Sequence, residues 1–210
     1  MAGIKIEIEK VKEALPEIKV GLDKYTKLIK LIDNDVSTEN EFQDIFNGFF
    51  RLNLRRSKNF TFNEFSTEYY AFMEHHKKDQ ELSFKKILTH FYKRFNTIEA
   101  SFSSKLMAII DHEKPIWDTH IINKLNLKKP KYSKKERLNK PVDELLKPFE
   151  DLYSEISECY KVFLKTYEAN RWIKLFDEQY PNNGITSIKK IDFILWQIGK
   201  IESKKKKCKN

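Results

Sequence analysis

The fold class this sequence predicts is all-α, a multi-helix bundle, and three observations predict it. Apolar residues recur at spacings of three and four through most of the chain, the period of a helix with one buried face. Only five glycines and six prolines occur in 210 residues, too few for the many tight turns of an all-β fold. Helix-start signals, a threonine followed three residues later by glutamate, stand directly before two of the apolar runs. Single domains usually run to roughly 100–200 residues, so the length suits one helical domain over 1–210, with 1–100 and 101–210 as alternative subdomains.

Taken in order, Ile4, Ile6 and Ile8 alternate before Val11 and Leu15, which fits either a short N-terminal strand or the frayed start of a helix. Pro16 opens a helix carrying Ile18, Leu22, Tyr25, Leu28, Ile29 and Ile32 on one face. Thr38 with Glu41 forms a capping box ahead of Phe42, Ile45, Phe46, Phe49 and Phe50, a face that reads as core. Arg51, Arg55, Arg56 and Lys58 follow in a polar connection that suits solvent or phosphates. Thr61 with Glu64 repeats the capping box before Phe65, Tyr69, Phe72 and Met73. The adjacent His75 and His76 point about 100° apart on a helix and cannot form an i,i+4 metal pair. Ser83 caps the next helix, and Asn96-Thr97 breaks it.

The stretch Ser101–Leu127 is the one place with the spacing for chemistry. Ser101, Ser103 and Ser104 compete to cap a segment containing Lys105, Leu106, Ile109 and Ile110. A polar turn at Asp111, His112 and Glu113 leads to Pro115, Trp117 and Asp118, the expected N-cap of a helix over Thr119–Leu127. Pro141 then opens a long helix in which Pro148 should produce a kink or a split. A helix with Trp172 and Phe176 comes next. After a turn cluster at Pro181–Gly184, Thr186 starts a last helix so apolar on all sides that burial is expected.

The net charge of +9 makes nucleic acid, DNA first, the partner to consider. The charge is concentrated: Lys124, Lys128, Lys129, Lys131, Lys134, Lys135, Arg137 and Lys140 are interrupted by one acid, Glu136, and Lys204–Lys207 with Lys209 close the chain. Cys159 and Cys208 lack paired spacing, which suits a reducing compartment. No run approaches the roughly 20 apolar residues of a membrane span, so a cytoplasmic protein without membrane contact is expected. No phosphate-cradling Gly-rich loop, nucleophile elbow or zinc spacing occurs, and no cofactor or metal is expected.

The run of apolar helix, polar turn, Trp117-Asp118-Thr119-His120 and an Ile/Leu helix carrying Lys124 resembles the corresponding unit of the helix-hairpin-helix DNA glycosylase superfamily, which includes endonuclease III. The resemblance covers about 27 residues closely and the rest by helix pattern. It implies that the Asp118 carboxylate stabilises positive charge developing on the sugar, or activates a nucleophile, as an N-glycosidic bond breaks. In lyase-type members a lysine forms a Schiff base with the sugar, and Lys105 is the nearest candidate. Trp117 would stack on an extruded base. Ser101, Ser103 and Ser104, with Lys124, Lys128, Lys129 and Lys131, would hold phosphates. The family's hairpin uses a Gly-x-Gly turn, whereas this chain has Ala100-Ser101-Phe102-Ser103. The readings that follow are a DNA-binding protein that excises a damaged base, and a non-catalytic helical module that binds nucleic acid or protein.

Overall fold

The structure, a computed structural model, describes residues 4–52, 57–132 and 140–208. Arg55, Arg56, Lys134, Lys135, Glu136, Arg137 and Lys209 lie outside the described residues. Among the described residues the fold is entirely helical, with no strand. Ile4 and Ile6 pack against the core without regular structure. The chain becomes helical at α1, Ile8–Ala14. Of the two N-terminal alternatives, the helix start is the one formed.

A short 3-10 turn over Leu15–Ile18, with Pro16 in its first turn, leads directly into α2, Lys19–Leu31. The proline's missing N–H costs nothing at a helix start. α3, Asn40–Phe50, begins one residue later than the Thr38 capping box requires. The Thr38 hydroxyl instead donates to the Asp35 carbonyl in the preceding turn, and Glu39 becomes the N-cap. α4, Phe62–His76, has the full capping box: Thr61 accepts from the Glu64 amide and Glu64 accepts from the Thr61 amide. α5, Phe84–Phe95, is capped by Ser83 and stopped by Asn96 in the left-handed conformation, φ 50°.

α6, Ala100–Ile110, and α7, Thr119–Lys124, flank an irregular connection. α8 spans Val142–Leu164 and is not split at Pro148. The ring removes one bond, to the Glu144 carbonyl, which receives a long 3.4 Å contact from the Tyr132 hydroxyl. Buried Leu145 and Leu146 before the proline and Leu152, Tyr153 and Ile156 after it keep both halves on the same core. α9, Tyr167–Gln179, and α10, Ser187–Lys207, complete the chain, both with threonine N-caps.

The expected aromatic faces meet inside. Phe42 and Phe46 of α3 face Tyr70 of α4, and Tyr69 stacks on Phe91 of α5 with ring centroids 5.4 Å apart. α10 lies against α1, the 3-10 turn, α7, α8 and α9, which explains its apolar residues on all sides. Ile191, Ile194 and Leu195 are fully buried there, together with Lys189 and Asp192.

Candidate functional site

α6 begins at Ala100, so Ser101, Ser103 and Ser104 lie inside its first turns and do not cap it. With Asn96 ending α5, the helix has room to start before the serines, and the Ser103 amide bonds the Glu99 carbonyl at 2.8 Å. Two of the hydroxyls hold Trp117 by its backbone. Ser101 donates to the Trp117 carbonyl at 3.0 Å, and Ser104 accepts from the Trp117 amide at 2.9 Å. Ser103 is buried, and its hydroxyl makes no hydrogen bond among the described residues.

The connection between α6 and α7 is irregular and partly buried, so its backbone groups need partners. Side chains from α8 and from α10 with its N-cap supply them. Thr186 donates to the His112 carbonyl at 2.8 Å, Lys189 to the Lys114 carbonyl at 2.6 Å and Tyr153 to the Pro115 carbonyl at 3.0 Å. The Ile116 amide reaches Asp192 at 3.4 Å. Behind this segment Lys189 and Asp192 form an ion pair at 3.0 Å, and the Tyr160 hydroxyl donates to Asp192 at 2.6 Å. Burial raises the Asp192 carboxyl, opposed by Lys189 and by these hydrogen bonds. The signal for this network was present in the sequence as two charged residues, spaced i,i+3, inside an apolar run.

Trp117, placed at the site by the resemblance, is a core side chain, 4% exposed, with its ring parallel to those of Phe84 and Phe149 at 6.3 and 6.0 Å. Asp118 is half-buried and is the N-cap of α7, accepting from the His120 amide at 2.8 Å. The helix it starts is shorter than expected, because the chain turns at Asn126 with φ 57°.

Lys105 is buried on α6. Its ammonium donates to the carbonyl of Phe50, the last residue of α3, at 3.1 Å and lies 4.8 Å from the centre of the Phe102 ring. Burial pushes this amine down to about 8; the Asp118 carboxylate opposes the shift, and the Arg51 and Lys129 cations reinforce it. Lys105, Asp118, Arg51 and Lys129 therefore share one electrostatic neighbourhood. Arg51 directly follows Phe50 and caps α3 in the left-handed conformation, φ 59°, which strains a residue other than glycine. Lys129 bonds the Thr119 hydroxyl at 2.6 Å.

The remaining basic candidates divide. Lys128, Lys129 and Lys131 are exposed, whereas Lys124 is mostly covered and paired with Glu202 of α10. The two grooves that stand out lie away from this centre. One of about 290 Å³ is lined by Lys10, Ile198, Ile201 and Glu202, and one of about 140 Å³ by Ile32, Lys77, Ile110 and His112. Among the described residues no cluster of His, Cys, Asp or Glu could hold a metal ion, and no helix is long and apolar enough to cross a membrane. Chemically, the centre offers one amine that burial pushes down to about 8, one carboxylate and a basic margin. Comparison of the chain with protein-family models, with curated proteins and with solved structures finds no match.

Proposed function

We propose that this chain binds nucleic acid along an edge carrying Arg51, Lys128, Lys129 and Lys131, of which Arg51 and Lys129 act electrostatically on Lys105 together with Asp118. The observation that supports this most is the run of exposed cations Lys128, Lys129 and Lys131, with Lys129 bonded to the Thr119 hydroxyl directly after Asp118. A short run of exposed cations of this kind attracts a phosphate backbone. Binding measured by fluorescence anisotropy between 50 and 200 mM salt should weaken with a log–log slope of about −3, if four cations engage a strand. Affinity indifferent to salt would refute the reading and point to a protein-binding module.

Base excision is the second reading, favoured by the Lys105 amine standing in the field of Asp118. A neutral Lys105 nitrogen would attack C1′ of the sugar while the base departs with the glycosidic electron pair. Loss of the amine's proton and opening of the ring then leave a Schiff base. Asp118 would stabilise the positive charge that develops on the sugar. This requires Lys105 to leave the Phe50 carbonyl. Borohydride trapping on lesion-bearing oligonucleotides tests the lysine, and base release by Asp118→Asn tests the carboxylate. Absence of both adduct and released base with the wild-type chain removes the catalytic reading and leaves nucleic-acid binding in place.

A further inference from the structure

Of the residues 191–199 on α10, only Trp196 is not buried. Two of the three tryptophans, Trp117 and Trp172, are core side chains at 4% and 2% exposure. Trp196 instead keeps part of its indole at the surface, beside α7. Its neighbours are set by the helix period: Trp196, Gly199 and Lys200 occupy i, i+3 and i+4 on one face. Gly199 is the slot into which α7 fits, since a Cβ there would lie 2.5 Å from the Cβ of His120. The His120 imidazole is thereby held edge-on to the indole, with ring centroids 6.3 Å apart and planes at 82°. The Lys200 ammonium sits 4.9 Å from the indole centre.

This cluster adjoins the basic edge. His120 follows Thr119, the residue that Lys129 bonds. Beyond Asp192 the only acidic residue in the chain is Glu202, already paired with Lys10 and Lys124, while Lys204–Lys207 continue along the same helix, Lys205 among them paired with Glu13 of α1. An aromatic ring set among cations that track a backbone is the composition of a surface for single-stranded nucleic acid, where bases stack and phosphates are neutralised. We propose that Trp196, with His120 and Lys200 beside it, is a stacking platform for one unpaired nucleobase. The inference rests on the nucleic-acid reading above and narrows its ligand to single strands. The base takes the indole face, and Lys200 moves from the ring to the adjoining phosphate.

Because Trp117 and Trp172 lie in the core, out of reach of a stacked base, quenching of intrinsic fluorescence by a ligand reports on Trp196, and Trp196→Phe sets the unquenched background of the other two. Titration with a thymidine 12-mer, with anisotropy of a labelled copy recorded in parallel, should give saturable quenching. A duplex of equal length, at equal occupancy, should quench far less. Trp196→Leu should lower single-strand affinity about tenfold or more, while Trp196→Phe keeps most of it. Circular dichroism checks that both variants are folded, and if Trp196→Leu is not, the wild-type quenching and Trp196→Phe decide. Single-strand binding without quenching, or unchanged in folded Trp196→Leu, overturns the platform and leaves the nucleic-acid reading standing. If neither single strand nor duplex binds at 50 mM salt, that reading falls, and the platform with it.

Discussion

Replacing Lys105 by methionine tests whether a buried cation strains the fold. The amine titrates at about 8 in the folded chain against an ordinary value of 10.5. That difference corresponds to about 3 kcal/mol of folded-state penalty on the charged form. Below pH 8 both folded and unfolded chains hold the proton, and the penalty is fully present. As pH rises from 8 towards 10.5 the folded chain loses the proton first, the unfolded chain binds more protons, and stability rises. Lys105→Met removes the penalty at every pH, but leaves the Phe50 carbonyl without its donor, at about 1–3 kcal/mol. At pH 7 the two effects nearly offset, so the variant should match or exceed wild type by about 0–2 kcal/mol. By pH 9.5 wild type should have recovered about 2 kcal/mol relative to the variant. Urea unfolding of both proteins at the two pH values measures this. Parallel stabilities would show that Lys105 titrates at its ordinary value, and the buried-cation account would be refuted.

Other substitutions probe the elements around the site. Arg51→Gly relieves a left-handed backbone and should raise stability by up to about 1 kcal/mol in thermal unfolding, while lowering the salt slope of nucleic-acid binding by about one. Lys189→Met leaves Asp192 buried without its cation and should cost about 3–5 kcal/mol in denaturant unfolding, with Lys189→Met/Asp192→Leu recovering much of it. Gly199→Ala gains helix propensity of about 1 kcal/mol but forces α7 outward, so a net loss of up to about 2 kcal/mol is expected. In a double-mutant cycle with His120→Gly, which empties the slot, the overpacking should vanish; strict additivity would show that the helices do not meet there.

Helix positions were legible because period and capping act locally. The Thr61–Glu64 box and the caps at Ser83, Asp118 and Thr186 all depend on residues within one turn of each other. The box at Thr38 was misplaced because its hydroxyl had a competing local acceptor in Asp35. What decides the environment of Lys105 is not local: its acceptor lies 55 residues earlier in the chain, and no spacing rule connects them. The same holds for Trp117. A tryptophan beside an aspartate is compatible with a base-stacking surface or with a core, and only Phe84 and Phe149, from other helices, decide for the core. Trp196 is the converse case, hidden by an apolar run whose single uncovered member becomes apparent only once α7 is seated on Gly199.

Among the described residues three lysines act as backbone caps. Lys77 donates to the Ile32 and Asn34 carbonyls past the end of α2, Lys105 to the end of α3, and Lys189 to the carbonyl of Lys114. Each amine joins segments distant in sequence, and each is largely shielded from reagents in solution. Brief acylation of the native protein should therefore modify the surface lysines and leave these three unlabelled. Their later appearance in a mass spectrum would time the opening of the fold at three separate joints. The exposed lysines proposed above to meet a phosphate backbone, Lys128, Lys129 and Lys131, are thus distinct from the three that tie backbone segments together.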